Sequence, residues 1–344
     1  MSIPESGGIS GGFSGGMPIL KVENLSKHFP IRSSLKLGKR VIRAVDDVSF
    51  SIMPGETLGL VGESGSGKTT TGRSIIRIEE PTRGRIIFKD ADITRVPNRD
   101  MKPIRRNMQM IFQDPYESLN PRCTVGEIIS EPMLIHKMYT SSEREGHVQR
   151  LLETVGLKPD HIRRYAHEFS GGQRQRISIA RALALDPGFI ICDEPISALD
   201  VSIQAQIINL LIRIQDEMGI AYLFIAHDLA MVRHISHTVA VMYRGRIVEF
   251  GPTEEVYGAP AHPYTQALMS AILPPDPVRA RAGARMQRRM ELDEETASPH
   301  AGAQERCLYA GRCSRHEDIC ANVRPQYTKA GNRHVACHFA MEVG

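Results

Sequence analysis

The apolar positions of this chain fall into short blocks separated by longer amphipathic stretches. Leu58-Gly59-Leu60-Val61, Met108-Gln109-Met110-Ile111-Phe112, Phe189-Ile190-Ile191-Cys192, Tyr222-Leu223-Phe224-Ile225-Ala226 and Thr238 to Tyr243 carry no charge. Uncharged runs of this length read as strands covered on both faces. Ile19-Leu20-Lys21-Val22 opens another strand, and Val45 to Ile52 alternates as a strand with one polar face does. Pro54-Gly55 and Arg244-Gly245 mark turns. Helical periodicity follows the glycine-rich stretch Gly62 to Thr69 as far as about Ile78, and fills most of the charged region 115–185. Strands alternating with helices predict an α/β fold built on a doubly wound parallel sheet. No internal repeat is visible.

Composition narrows this picture. A length of 344 residues suits one core of about 250 residues with an appendage. Apolar residues make up 41% and charged residues 24%, a balance ordinary for a globular chain. A net charge of +4, spread along the sequence, gives no reason to expect a nucleic-acid partner. No run approaches the ~18 apolar residues of a membrane span. The first twenty residues lack the basic start and apolar centre of a secretory signal, so a cytosolic location is expected. Residues 1–17, Gly/Ser-rich from Ser6 to Gly16, read as a flexible tail. The Arg-rich stretch 278–290, followed by acidic Glu291 to Glu295, reads as an exposed linker. Cys192, inside an apolar run, is expected to be an inert core thiol, and Cys123 has no evident role.

Two places carry phosphate chemistry. Gly62-Glu63-Ser64-Gly65-Ser66-Gly67-Lys68-Thr69 satisfies every fixed position of G-x-x-x-x-G-K-[ST], with a buried strand before it and a helix after it. Its backbone can wrap a β-phosphate, Lys68 can reach the β- and γ-phosphates, and the Thr69 hydroxyl can ligate Mg²⁺. The expected ATP-binding set is Gly62, Ser64, Gly65, Ser66, Gly67, Lys68, Thr69 and Thr70. Farther on, Phe169-Ser170-Gly171-Gly172-Gln173 precedes a helical run. A hydroxyl and bare backbone N–H groups at a helix start suit a second phosphate contact. Two phosphate-gripping loops for one nucleotide's chemistry point to a site assembled from two chains. Asp193-Glu194 closes a buried strand; Asp193 is placed to hold Mg²⁺ and Glu194 to polarise an attacking water. Gln113 and His227 end two further strands. An amide there can touch both metal and water, and an imidazole can bond a γ-phosphate oxygen. In isolation Gln113 reads more readily as a surface residue and His227 as a structural one.

Taken in order, these motifs resemble those of the ATP-binding-cassette (ABC) ATPases, including Ser197-Ala198-Leu199-Asp200; the resemblance covers about residues 18–255. It implies a P-loop NTPase fold: a RecA-like core, an antiparallel β subdomain and a helical subdomain near 115–185. In that family two cassettes close head to tail. Ser170, Gly171, Gly172 and Gln173 would then contact the nucleotide held by the other cassette, with Asp200 at the seam. Phe29 matches the aromatic that stacks on adenine, ahead of what looks like an insertion at 31–42. Phe112-Gln113-Asp114-Pro115-Tyr116-Glu117-Ser118-Leu119-Asn120-Pro121-Arg122 and His262-Pro263-Tyr264-Thr265-Gln266-Ala267-Leu268 are similar to the F-type ATPase subunits of oligopeptide and dipeptide importers. This implies a C-terminal domain of the oligopeptide-transporter type over 256–344. It also implies a paralogous ABC ATPase as heterodimer partner, two transmembrane permease subunits, an extracytoplasmic substrate-binding protein, and a peripheral location on the cytoplasmic face of the inner membrane.

Cys307, Cys313, Cys320 and Cys337 crowd the C-terminal stretch. Four thiols with little local core imply an organising metal. Their spacing lacks the paired C-x₂-C of zinc ribbons, and the residues alone leave iron–sulfur and Zn²⁺ open. The resemblance to the importer subunits implies a [4Fe–4S] cluster. Three functions follow: an ATPase powering import of peptides, or of nickel, sugars or conjugates; a non-transport ABC protein; or a redox module with the cassette secondary. The short stretch between Gln113 and Ser170 leaves no room for the coiled coil of the repair members, and one cassette is half of what the translation members carry.

Overall fold

All five uncharged runs are strands, and they lie side by side. The computed structural model describes residues 16–31, 40–114, 118–270 and 305–340. The strands are β1 (Leu20–Ile31), β2 (Arg40–Ile52), β3 (Thr57–Val61), β4 (Arg83–Phe88), β5 (Ala91–Asp92), β6 (Met108–Ile111), β7 (Phe189–Asp193), β8 (Ala221–Ala226), β9 (Thr238–Tyr243), β10 (Arg246–Pro252), β11 (Thr328–Ala330) and β12 (Arg333–Val335). The main sheet has the order β11-β12-β10-β9-β3-β8-β7-β6. Its central strands β9, β3, β8, β7 and β6 are parallel.

The side chains of these strands alternate between two cores. Val61, Ile190, Cys192, Tyr222 and Phe224 pack on the side of the helical region. Leu58, Leu60, Phe189, Ile191, Leu223 and Ile225 pack on the other side, with Ile75 and the β1–β2 layer. A strand covered on both faces shows no polar alternation, which is why these runs are uniformly apolar. The smaller sheet, β2-β1-β4-β5, is antiparallel.

Three sequence expectations change. The sheet is mixed: β10 pairs antiparallel with β9, β12 with β10, and β11 with β12. Residues 328–335 therefore continue the sheet's edge. The helix after the phosphate loop, expected to reach Ile78, ends at Ile75; Arg77 turns out of it at φ 60°, and its guanidinium bonds the carbonyls of Ile93 and Thr94. β1 and β2 extend into both ends of the presumed insertion at 31–42, of which 32–39 lie outside the described residues. So do the tail 1–15 and the linker around 278–295.

The described part of the region 115–185 is largely helical, with helices Val125–Ile135, Ser141–Thr154 and Gly171–Leu183. Each opens with a capping box: Thr124 with Glu127, Thr140 with Glu143, Ser170 with Gln173. Each box satisfies helix-end N–H groups that would otherwise lack partners. Among the described residues no helix is long and apolar enough to cross a membrane.

Candidate nucleotide site

The phosphate loop connects β3 to the helix Lys68–Ile75. Two of its glycines are fixed by close backbone neighbours. A Cβ at Gly62 would lie 2.2 Å from the Met242 carbonyl oxygen, and one at Gly67 would lie 2.0 Å from that of Ala44. Both have positive φ, 154° and 104°, where only glycine is unstrained. A Cβ at Gly65, by contrast, would meet nothing within 4 Å. Lys68 is buried and donates from Nζ to the carbonyls of Gly62 and Glu63 at 2.8 and 2.9 Å. Burial lowers its pKa, against the opposing pull of Glu194, Asp193 and Glu63. Ser64 and Gly65 are exposed, Ser66 is buried, and Thr70 is half-buried behind Thr69.

Thr69 Oγ1 donates to Asp193 Oδ1 at 2.8 Å. Asp193 is fully buried at the end of β7, and burial raises its pKa despite the Thr69 bond and the nearby cations. Its other oxygen, Oδ2, is buried without a hydrogen-bond partner. An acceptor-only carboxylate oxygen beside a threonine hydroxyl is the donor set a hard divalent cation such as Mg²⁺ takes, so these residues fit that ion.

Glu194 follows directly. Its Oε2 accepts from Gln113 Nε2 at 3.0 Å and lies 3.4 Å from His227 Nδ1. Glu194 stands at φ 45°, an uncommon setting for a non-glycine residue. Its N–H is anchored to the Ile225 carbonyl at 2.9 Å, and its own carbonyl accepts from Ser197 Oγ at 3.1 Å. The three strand ends named from the sequence thus converge on one carboxylate oxygen.

The stretch 169–173 sits apart. Phe169 is buried in the helical-side core, and Ser170 is exposed, its Oγ accepting from Gln173 N–H at 3.4 Å. Gly171 faces Leu199, while a Cβ at Gly172 would lie 2.5 Å from Ile203 Cγ2. Among the described residues no hydrogen bond joins 169–173 to the phosphate loop. Asp200 is exposed and starts the helix Val201–Met218. Phe29 lies half-exposed in β1 with Lys27 Nζ 4.8 Å from its ring centroid, so it is not a core aromatic.

The four C-terminal cysteines gather loosely. Burial raises the pKa of Cys307 to about 11, helped by Cys320, Cys337 and Cys313, and it also raises those of Cys313 and Cys337. Cys307 N–H donates to the Cys320 carbonyl at 3.0 Å, and Cys313 Sγ accepts from Arg315 N–H at 3.4 Å. Among the described residues no three His, Cys, Asp or Glu side chains form a group able to hold a metal ion.

Sequence reasoning missed Tyr264 and Arg312. Tyr264 Oη accepts from Glu63 N–H at 3.0 Å, and Arg312 pairs with the Glu63 carboxylate. Tyr264 lies within the distinctive run His262 to Leu268, the one local signal available; Arg312 looks like any loop arginine.

A strand-anchored phosphate loop, a carboxylate pair at the end of β7 and a second glycine motif opening a helix define an ATP-binding cassette. Comparison with known proteins agrees. The family model for the ABC transporter matches residues 45–197, and that for the oligopeptide/dipeptide transporter C-terminal region matches residues 248–320. The oligopeptide transport ATP-binding protein AppF of Bacillus subtilis is 51% identical over 93% of this chain and 97% of its own length. The glutathione import ATP-binding protein GsiA of Pectobacterium atrosepticum is 54% identical over 82% of this chain and 45% of its own. The dimeric ATP-binding cassette MJ0796, in a post-hydrolysis state bound to ADP and Pi, aligns with a TM-score of 0.61 at 27% identity, over 68% of this chain and 98% of that one. The chain belongs to the ABC-transporter ATP-binding subunits, in their oligopeptide/dipeptide branch.

Proposed function

We propose that this chain binds and hydrolyses ATP to power import of peptides through separate membrane-spanning permease subunits. The observation that carries the reading is the convergence of Gln113 and His227 on Glu194, beside the Thr69–Asp193 pair. In this reading the loop Gly62–Thr70 cradles the phosphates, and Phe29 stacks on adenine. Thr69 and Asp193 would hold Mg²⁺, which when bound would supply positive charge beside the transferred phosphoryl group. Glu194 takes a proton from the attacking water, Gln113 orients that water, and His227 bonds the γ-phosphate.

Ser170, exposed at a helix N-terminus with Gly171, Gly172 and Gln173, contacts the nucleotide of a second cassette, and Asp200 lies at the seam. That cassette is a paralogous ATPase, so the working unit is a heterodimer docked on two permease subunits at the cytoplasmic face of the membrane and fed by an extracytoplasmic binding protein. Peptides are the expected cargo because relatives matching 90% or more of this chain are named for peptide or oligopeptide transport; the similarity to GsiA, named for glutathione import, extends the class to that small peptide.

The same reading gives Cys307, Cys313, Cys320 and Cys337 a [4Fe–4S] cluster. A single Zn²⁺ with Zn–S near 2.3 Å draws its thiolates to about 3.8 Å from one another. A four-iron cluster spreads them more widely, and Cys307 lies near enough to Cys313, Cys320 and Cys337 for their charges to interact. The cluster would supply the organising centre for a segment with little core of its own. Iron and acid-labile sulfide in anaerobic protein test this; a colourless, zinc-loaded preparation overturns it. The transport reading is tested by ATP-dependent peptide uptake into vesicles holding both permeases and both ATPases. Uptake undiminished by Glu194→Gln would refute it.

A further inference from the structure

The first variable residue of the phosphate loop, Glu63, is engaged at every polar group. Its N–H donates to Tyr264 Oη at 3.0 Å. Its carbonyl accepts from Lys68 Nζ at 2.9 Å and from Ser66 N–H at 3.2 Å. Its carboxylate receives both arms of one guanidinium: Arg312 Nη1 to Oε2 and Nη2 to Oε1, each at 3.2 Å.

Arg312 comes from the far end of the chain, 249 residues away, yet its side chain is only 8% exposed. The guanidinium lies 5.8 Å from the ring centroids of both Tyr243 and Tyr309, and Nη1 reaches Tyr243 Oη at 3.4 Å. Those two rings and Tyr264 pack on one another, with centroids 4.6 to 5.6 Å apart. The cation is therefore seated in a rigid aromatic cage, and paired in the bidentate geometry that makes Arg–carboxylate bonds strong and directional.

A carboxylate in a phosphate loop is electrostatically wrong unless it is neutralised. Like charges a few ångströms apart repel, and Glu63 lies in the loop that would hold the phosphates, its carbonyl bonded to Lys68 Nζ. The loop also needs anchors, because Gly65 at φ 72° has nothing within 4 Å of where a Cβ would stand.

We propose that Arg312 is a positioning residue of the ATP site: it cancels the charge of Glu63 and pins the phosphate loop in its nucleotide-binding shape. Arg312 immediately precedes Cys313, so the loop's grip on nucleotide depends on the order of the four-cysteine segment. The inference rests on the phosphate loop being the ATP site.

The test is equilibrium binding of trinitrophenyl-ATP with Mg²⁺ to the full chain and to Arg312→Gln, Glu63→Gln and the double variant. Wild-type binding is measured in the same titration, so a protein that fails to bind at all sinks the ATP-site reading and not this one. Arg312→Gln should raise Kd about 5- to 150-fold, the usual span for coupling between sites. Glu63→Gln removes the charge that needs cancelling but also the loop's anchor, so it should raise Kd less than Arg312→Gln does. The double variant should match Glu63→Gln, because the same bond is lost and no uncancelled carboxylate remains. A purely structural defect would persist in the double variant. Wild-type affinity in Arg312→Gln, or an undiminished loss in the double variant, overturns the proposal.

Discussion

Gly171 and Gly172 open the same helix, yet the structure gives them opposite expectations on substitution by alanine. A methyl at Gly172 would sit 2.5 Å from Ile203 Cγ2, whereas one at Gly171 would sit 3.4 Å from Leu199 Cδ2. Ile203 is branched at Cβ and lies in the first turn of the helix Val201–Met218, so its methyl cannot swing aside without leaving a staggered rotamer. Forcing an extra methyl into such a contact costs about 1–3 kcal/mol. At Gly171 the methyl reaches the edge of ordinary contact, and alanine recovers part of the ~1 kcal/mol by which it exceeds glycine in helix propensity. Gly172→Ala should therefore melt below Gly171→Ala. At about 2–4 °C per kcal/mol for a domain of this size, the gap should be about 2 °C at least and about 12 °C at most. Far-UV circular dichroism of the two full-length variants without nucleotide reads this directly, since ligand linkage is then absent. A Gly172→Ala melting temperature equal to or above that of Gly171→Ala would refute the packing argument. The glycine that reads as bare backbone for a phosphate would then owe nothing to Ile203.

Three further outcomes are expected. Glu194→Gln keeps the size of the side chain and an acceptor for Gln113 but removes the base, so ATP turnover should fall by about 10² to 10⁴ while nucleotide binding is retained; turnover within a few-fold of wild type rules out the assignment. His262 is buried, its Nδ1 accepts from Tyr264 N–H at 3.0 Å, and burial lowers its pKa to about 3. The unfolded chain thus takes up this proton first as pH falls, so the stability His262 contributes is complete above pH ~6.5 and declines toward pH ~3. Between about pH 7 and pH 5 the loss is about 2 kcal/mol. Urea unfolding should show that loss in wild type and not in His262→Gln; equal losses would contradict it, and the raised pKa of Glu249 cancels in the comparison. Cys313→Ser should weaken trinitrophenyl-ATP binding in the same direction as Arg312→Gln, and the two together should weaken it no further. Additive losses would mean that the cysteine segment and Arg312 act by separate routes.

What could be read from the sequence follows from what is local. β3, β7 and β8 are covered on both faces, so their residues carry a continuous apolar signal whatever their neighbours are. The phosphate loop is legible because its chemistry needs a fixed order of glycines, one lysine and one hydroxyl within a few residues. β10, β11 and β12 were not read from the sequence. β11 and β12 span three residues each, too short for any periodicity. β10 is a buried strand that carries Arg246 and Glu249, charges a lone run would place on the surface. Glu249 is tolerated there because its carboxylate accepts from the N–H groups of Ala261 and His262, both at 2.9 Å, bonds to residues beyond the strand itself. The early end of the helix at Ile75 has the same origin: the bonds that hold Arg77 out of the helix reach across to Ile93 and Thr94.

The division between legible and hidden residues also has a functional side. Gln113, Glu194 and His227 each end a parallel strand, and parallel strands bring their C-terminal ends to one edge of the sheet, where ligands bind. Position at the end of such a strand is therefore enough to nominate them. Glu63, Tyr264 and Arg312 share no element and no motif. Glu63 sits at a variable position of the loop pattern, and Arg312 lies among cysteines that draw attention to themselves. Only the closed fold brings that guanidinium to that carboxylate. A local motif can specify how a phosphate is held, because the holding is done by consecutive backbone groups. What braces that loop from outside must come from elsewhere in the fold, since the local pattern holds no partner for the Glu63 carboxylate. In this chain that group is carried by the segment bearing Cys307 and Cys313, which gives the C-terminal extension a direct mechanical purchase on the nucleotide loop.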